Sequence, residues 1–254
     1  MNIDLSGKIA LITGATGQLG RVMVRTLAEC GARIVIHYHS SNKKALELQE
    51  EIKNMGREAC IVQGDITNEE SILKMKEEIF RHFRELPHII VANAVEQYNW
   101  TSVLEQSAAD YESQFRSSVM QSVYLAQAFV PAMIERKGGR VIGINSECSM
   151  QNFPTQSAYV AGKRGMDGVY RVLAKEIGEH GITVNQVAPG WTVSERDREN
   201  GTEHSESYSA SVPLKRRGTD QEIANMVAFL ASDLASFTTG AFIPVCGGNI
   251  MPSI

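Results

Sequence analysis

Tyr159 and Lys163 stand four residues apart, and Ser146 precedes the tyrosine by thirteen. On a helix this spacing sets a phenol and an ammonium one turn apart on the same face. A neighbouring positive charge favours the phenolate, so such a tyrosine exchanges a proton nearer neutrality than its free pKa of about 10 allows. Bringing that pKa to about 7 takes roughly 4 kcal/mol, at about 1.36 kcal/mol per unit. One lysine with a positively charged cofactor ring supplies this; a solvated surface pair does not. Ser146 adds a hydroxyl able to orient a substrate oxygen. The pair alone arises by chance about once every few chains of this length. Its meaning rests on whether a cofactor site and the serine surround it.

The elements that must position these residues alternate along the whole chain. Strands are predicted at 8–13, 33–38, 59–62, 88–92, 140–144, 182–187 and 241–245. Helices are predicted at 20–30, 43–55, 69–84, 108–137, 156–179 and 221–231. Repeated strand–helix–strand units with near-continuous apolar strands imply a parallel sheet covered on both faces. Right-handed crossovers then give a doubly wound, Rossmann-type sheet in a three-layer α/β/α arrangement. With no linker, repeat or low-complexity tract, residues 1–254 are expected to form a single domain. The polar stretch 191–212 is long for a loop in a compact domain and follows a strand on the ligand-binding side, so a mobile substrate lid is expected there.

Hydrophobic content is 43%, charged content 21% and net charge −4. That balance leaves no basic footprint for nucleic acid or an anionic membrane. No apolar run approaches the roughly 20 residues that span a bilayer, and the N-terminus lacks a signal-peptide pattern. A cytoplasmic location follows as an expectation. Cys30, Cys60, Cys148 and Cys246 are scattered, and neither they nor the six histidines show metal-ligand spacing, so no metal is expected.

Gly14, Gly17 and Gly20 fall between the first predicted strand and helix, followed closely by Gln18 and Leu19. Glycines there permit a tight turn and close approach of a pyrophosphate, with the helix N-terminus supplying amides. After the second strand an NAD site usually places a carboxylate, whereas a 2′-phosphate calls for a basic or hydroxyl-rich loop. This chain runs through His37, Tyr38, His39, Ser40, Ser41, Asn42, Lys43 and Lys44 without an acid, so NADP(H) is favoured over NAD(H). Lys43 and Lys44 serve equally well as a solvated first helical turn.

With the glycine turn, Ser146, Tyr159 and Lys163 in place, the chain resembles the short-chain dehydrogenase/reductase family over essentially its whole length. It is most similar to the single-domain branch of 3-oxoacyl-acyl-carrier-protein reductases and carbonyl, sugar and polyol dehydrogenases. The resemblance implies that Asp65, with Ile66, contacts the adenine, and that Asn93 and Ala94 form the segment after the fourth strand. It places Pro189, Gly190 and Thr192 beside the nicotinamide, matches Asn185, and sets Gly247-Gly248 near a subunit interface. It further implies a homotetramer or homodimer. The chemistry implied is hydride transfer between a nicotinamide and a carbonyl or secondary alcohol. Tyr159 would be the acid/base, Lys163 would tune it and hold ribose, and Ser146 would hold the substrate oxygen.

Three positions depart from that branch. Gln18 stands where glycine is usual, and Val95 ends the segment that normally finishes in glycine. Ser118 replaces the asparagine that closes the family's proton relay, so it is a weak fourth catalytic candidate. These departures keep a second reading open, a non-catalytic NADP(H)-binding sensor or scaffold. Glu147 and Cys148 follow Ser146 and are expected either to line the substrate pocket or, for Glu147, to face solvent. An acyl carrier protein partner has partial support from Lys137 and His180, while the run Lys215, Arg216, Arg217 is more readily a solvated face.

Overall fold

The computed structural model describes residues 2–252. Seven strands form one parallel sheet: β1 Ile9–Ile12, β2 Arg33–Tyr38, β3 Ala59–Gln63, β4 Ile89–Ala92, β5 Gly139–Ile144, β6 Ile182–Pro189 and β9 Phe242–Val245. Their order is β3-β2-β1-β4-β5-β6-β9. The order reverses direction between β1 and β4, the switch point at which such sheets bind ligands.

Strand alternation builds both faces at once. In β1, Ala10 and Ile12 enter one core while Ile9 and Leu11 enter the other, all fully buried. On the first face lie α1 (Gln18–Glu29), α2 (Asn42–Asn54) and α10 (Asp220–Ala231), through residues such as Met23, Leu27, Ile52 and Val227. On the second lie α3 (Glu69–Phe83), α5 (Gln121–Glu135) and α7 (Ser157–Ile177), through Met75, Phe129, Met166 and Tyr170. Burying one such side chain contributes about 1.5–3 kcal/mol, which is why two apolar stripes suffice to fix the layers.

The segment expected as one helix over 108–137 is interrupted. Helix α4 (Ala108–Phe115) runs into a π-turn at Arg116–Met120 before α5 begins, and the short α6 (Cys148–Gln151) precedes α7. A π-turn widens the backbone ring and frees a carbonyl. Here Ser117 O accepts from the Gln121 side chain and Ser118 O from the Ser122 hydroxyl.

Residues 191–212 also differ from the expected loop. They hold β7 (Thr192–Val193), α8 (Glu195–Asn200) and α9 (Glu206–Ser211), and β7 pairs with β8 (Gly218–Thr219). Ser194 and Asp197 form a capping box at the start of α8, a local signal that hydroxyl-x-x-acid spacing carries. Arg217, buried, donates to Thr192 O at 2.9 Å and to Asp197 at 3.1 Å while its guanidinium lies 4.5 Å over the Trp191 ring. Arg216 is held by Glu222, and the Lys215 ammonium donates to Ala210 O. Lys215 and Arg216 of the basic run are exposed, as a solvated face would be, while Arg217 is buried and, with Lys215, ties the 191–212 segment down.

Candidate active site

The first βα turn is compact. A Cβ added at Gly20 would lie 2.2 Å from Gly14 O, so a side chain there forces the turn open. Helix α1 begins at Gln18 with no side-chain cap, leaving its first amides for an anion. Gln18 itself is exposed, and its Oε1 accepts from Arg21 at 2.7 Å. This holds its carboxamide against the first turn of α1.

A cleft of about 580 Å³ starts at this turn and ends at Tyr159. Gly14, Gly17, Gln18, Leu19, Ser40, Asp65, Ile66, Asn93, Ala94, Ser146, Tyr159, Lys163, Pro189, Gly190 and Thr192 all line it. The adjoining Thr16, His39, Ser41 and Val95 line it too. Two expected site residues do not. Tyr38 is buried in the core on the α1 side, because inward alternation along β2 points its ring there. Ser118 is buried behind α7, and its hydroxyl has no partner. A Cβ at Gly162 would lie 3.3 Å from that hydroxyl and 2.7 Å from Gln114 O, so α4 closes against α7 where Ser118 sits. Lys43 and Lys44 are exposed on the first turn of α2 and do not line the cleft.

Tyr159 and Lys163 lie side by side at the end of the cleft. The Lys163 ammonium donates to Ile144 O at 2.6 Å and stands 5.6 Å from the centre of the Tyr159 ring. Burial raises the Tyr159 pKa to about 12, with the Ser146 hydroxyl pulling the other way. Burial lowers Lys163 to about 8. At neutral pH the pair is a phenol beside an ammonium, the protonation state of a proton donor.

Several residues that sequence reasoning missed hold this arrangement. Asn145 donates to Lys163 O at 3.0 Å and to Gln186 at 2.7 Å, while its own oxygen accepts from the Ser146 amide at 2.8 Å. It thereby locks the end of β5 to α7. The Thr13 hydroxyl donates to Gln121 at 2.6 Å and accepts from the Asn93 and Ala94 amides at 2.9 and 3.0 Å. Gln121 also donates to Ala94 O at 2.9 Å, so the π-turn, the glycine turn and the 93–94 segment are one network. His37 accepts from the Gly14 amide at 3.0 Å and bonds Gly64 O at 3.1 Å. Burial lowers its pKa to about 4, keeping it neutral. A polar Asn or Gln among apolar neighbours was the available sequence signal for Asn145 and Gln121.

Glu147 faces neither the pocket nor solvent. It is buried, accepts from the Tyr208 phenol at 3.0 and 3.2 Å, and accepts from Asn249 at 2.9 Å. Burial raises its pKa against those donors. The Tyr208 hydroxyl in turn accepts from the Trp191 amide at 2.9 Å.

A doubly wound sheet with a glycine turn, and a Ser-Tyr-Lys set in one cleft, defines a class of nicotinamide-dependent oxidoreductase. A sequence model described as enoyl-(acyl carrier protein) reductase matches residues 14–249. The chain belongs to the short-chain dehydrogenase/reductase family. A 3-oxoacyl-[acyl-carrier-protein] reductase of Pseudomonas aeruginosa is 35% identical over 250 residues, covering 98% of this chain and 100% of that one. One from Staphylococcus epidermidis is 32% identical over 244 residues, covering 96% and 99%. A blue fluorescent protein from a metagenomic library, solved in complex with NADPH, superposes with a TM-score of 0.89 at 31% identity, covering 98% and 100%. A Serratia marcescens short-chain dehydrogenase/reductase variant superposes with a TM-score of 0.87 at 26% identity, covering 96% and 98%. Among the described residues no helix is long and apolar enough to cross a membrane.

Proposed function

We propose that this protein is an NADP(H)-dependent carbonyl reductase or secondary-alcohol dehydrogenase. The observation that carries the reading is the convergence of Ser146, Tyr159 and Lys163 in the cleft that begins at the Gly14–Leu19 turn. The residues present fit the dinucleotide. The uncapped start of α1 suits its pyrophosphate, and the end of β2 offers His39, Ser40 and Ser41 with no carboxylate, which suits a 2′-phosphate. The Asp65 carboxylate accepts from the Thr67 amide and hydroxyl at 2.8 and 2.7 Å, which fixes its loop at the adenine end. The NADPH complex of the metagenomic relative supports the same preference.

When bound, the nicotinamide supplies or accepts the hydride. Tyr159, holding its proton at neutral pH, donates it to the developing oxyanion in reduction and takes it back in oxidation. Ser146 hydrogen-bonds that oxygen, and Asn145 holds the serine in register with α7. Lys163 brings a positive charge to the ribose end and stabilises the phenolate as it forms. Ser118 stands outside the cleft and takes no part in this scheme. The complete Ser-Tyr-Lys set disfavours a purely cofactor-binding sensor, since binding alone does not require all three.

Residues 191–212 act as the substrate lid on this reading, in a single domain placed in the cytoplasm. Exposed Phe115 on α4 and Val172 on α7, with Phe237 near the C-terminus, support a homodimer or homotetramer. An acyl carrier protein partner has less support, because Arg216 and Arg217 are engaged within the chain. The test is NADPH consumption with a panel of ketones and β-ketothioesters. Tyr159→Phe is expected to abolish turnover while NADPH binding, read by fluorescence, stays within about threefold. Retained turnover would overturn the assignment.

A further inference from the structure

Gln18 stands where the family usually has glycine, so the cleft gains a side chain at the dinucleotide turn. It is the first residue of α1, it is exposed, and it lines the cleft. Its carboxamide lies beside the uncapped amides of that helix. The Oε1 accepts from one terminal nitrogen of Arg21 at 2.7 Å. A guanidinium has donors only, so it dictates which end of the carboxamide it meets. The oxygen is taken, and Nε2 keeps two N–H groups with no partner among the described residues.

Arg21 has no donor left to offer the cleft. Its other terminal nitrogen meets Glu195 at 2.9 Å, and its Nε is buried. Glu195 opens α8, the first helix of the proposed lid, and its second oxygen meets Arg25 at 2.9 Å. Arg25 is held in turn by Glu51 of α2 at 2.7 and 3.1 Å. Ser194, just before Glu195, lines the same cleft as Gln18. The first turns of α1 and α8 are thus fastened together beside the cleft, through the arginine that also sets Gln18.

We propose that the Gln18 carboxamide is a ligand of the dinucleotide pyrophosphate, and that Arg21 and Glu195 are its positioning residues. This rests on the dinucleotide-binding reading above and deepens it. Nε2 donates to a phosphate oxygen, a bond that the charge of the acceptor strengthens. Arg21 turns the donor end of the carboxamide, and not the acceptor end, toward the phosphates. Glu195 holds the planar fork of Arg21 in place and balances its charge. The seating of the lid helix and the grip on the pyrophosphate are therefore coupled.

The test measures dissociation constants by fluorescence and calorimetry. NADPH and 2′-phospho-ADP-ribose carry the pyrophosphate, and 2′-AMP lacks it. Gln18→Met keeps the length of the side chain and removes the donor. It is expected to weaken the first two ligands roughly tenfold, the ratio that about 1.4 kcal/mol gives, with 2′-AMP within about twofold. Gln18→Glu sets a carboxylate against the phosphates and weakens them further. Arg21→Met and Glu195→Gln weaken the same two ligands roughly threefold to tenfold. Gln18→Met combined with Arg21→Met stays within about twofold of the larger single loss, because both act through one bond. Equal weakening of all three ligands marks a merely structural role and overturns the proposal. Unchanged or tighter NADPH binding in Gln18→Met shows a side chain that only crowds the turn, and also overturns it. Losses that multiply in the double variant, or tighter binding in Glu195→Gln, overturn the positioning by Arg21 and Glu195. Failure of the wild type to bind NADPH and 2′-phospho-ADP-ribose removes the dinucleotide reading and this proposal with it.

Discussion

Tyr208 donates its phenol to the carboxylate of Glu147, sixty-one residues earlier, at 3.0 and 3.2 Å. One end of this bond lies on α9 within the 191–212 segment, and the other lies beside Ser146. Through the Trp191 amide, which the same phenol accepts, it also fixes the point where that segment leaves β6. The bond is a latch between the proposed lid and the floor of the site.

Tyr208→Phe is expected to lower stability by about 1–2 kcal/mol, because a buried acceptor loses a donor. Burial holds the Glu147 pKa above its ordinary value. Its raised-pKa contribution is therefore fully present below the unfolded carboxyl pKa and lost as pH rises through the folded one. Above that point the ionised carboxylate depends most on its donors, so the loss from Tyr208→Phe grows as pH rises through the folded pKa. Thermal unfolding of both proteins across a pH series checks the sign. Faster amide exchange across 195–211 checks the place.

His37 gives a second pH dependence, of opposite sign. Its folded pKa of about 4 lies below the ordinary value of 6.5. Stability is fully present above about 6.5 and lost as pH falls through about 4, by about 3 kcal/mol in all. The protonated ring can no longer accept from the Gly14 amide, so the loss falls on the dinucleotide turn. Denaturant unfolding of wild type and His37→Gln between about pH 7 and 4 is expected to show a shallower decline in the variant. Parallel curves would remove His37 as the cause.

Ser118→Ala should leave kcat within about threefold and stability equal or up to about 1 kcal/mol higher, since the hydroxyl it removes is buried and unpaired. Steady-state kinetics and a melting curve decide. A tenfold loss of kcat would return the serine to the reaction.

Gln121 braces three segments of the site, so Gln121→Met is expected to cost about 2–3 kcal/mol by stranding Thr13 and two carbonyls. The KM for NADPH should rise roughly three- to tenfold with a smaller change in kcat. Gln121→Glu restores the acceptor for Thr13 but not the donations, so it should recover only part of the loss. Equal damage from both variants would point to packing instead.

Much of the scaffold was legible from pattern alone. Each of the seven strands falls within about two residues of its expected bounds, because buried parallel strands are continuous β-branched runs between helical repeats. The glycine turn and the Tyr159–Lys163 spacing are local features, and local features survive reading in one dimension. The π-turn at 116–120 was not legible, since α- and π-windings share the same apolar periodicity over five residues. The two short helices at 195–211 were masked by their polarity, although the Ser194–Asp197 capping spacing marked the first.

By itself the sequence determined which groups are present: a phenol, an ammonium and a hydroxyl at helix and strand-end spacing, beside a turn built for a pyrophosphate. Only the tertiary structure decided their surroundings. It buried Lys163 onto Ile144 O, and it set Ser118 behind α7. It turned Glu147 onto Tyr208 and stacked Tyr98 on the Tyr159 ring. The reason is physical: desolvation and long-range pairing depend on segments that are remote in the chain, and residue spacing carries no record of them.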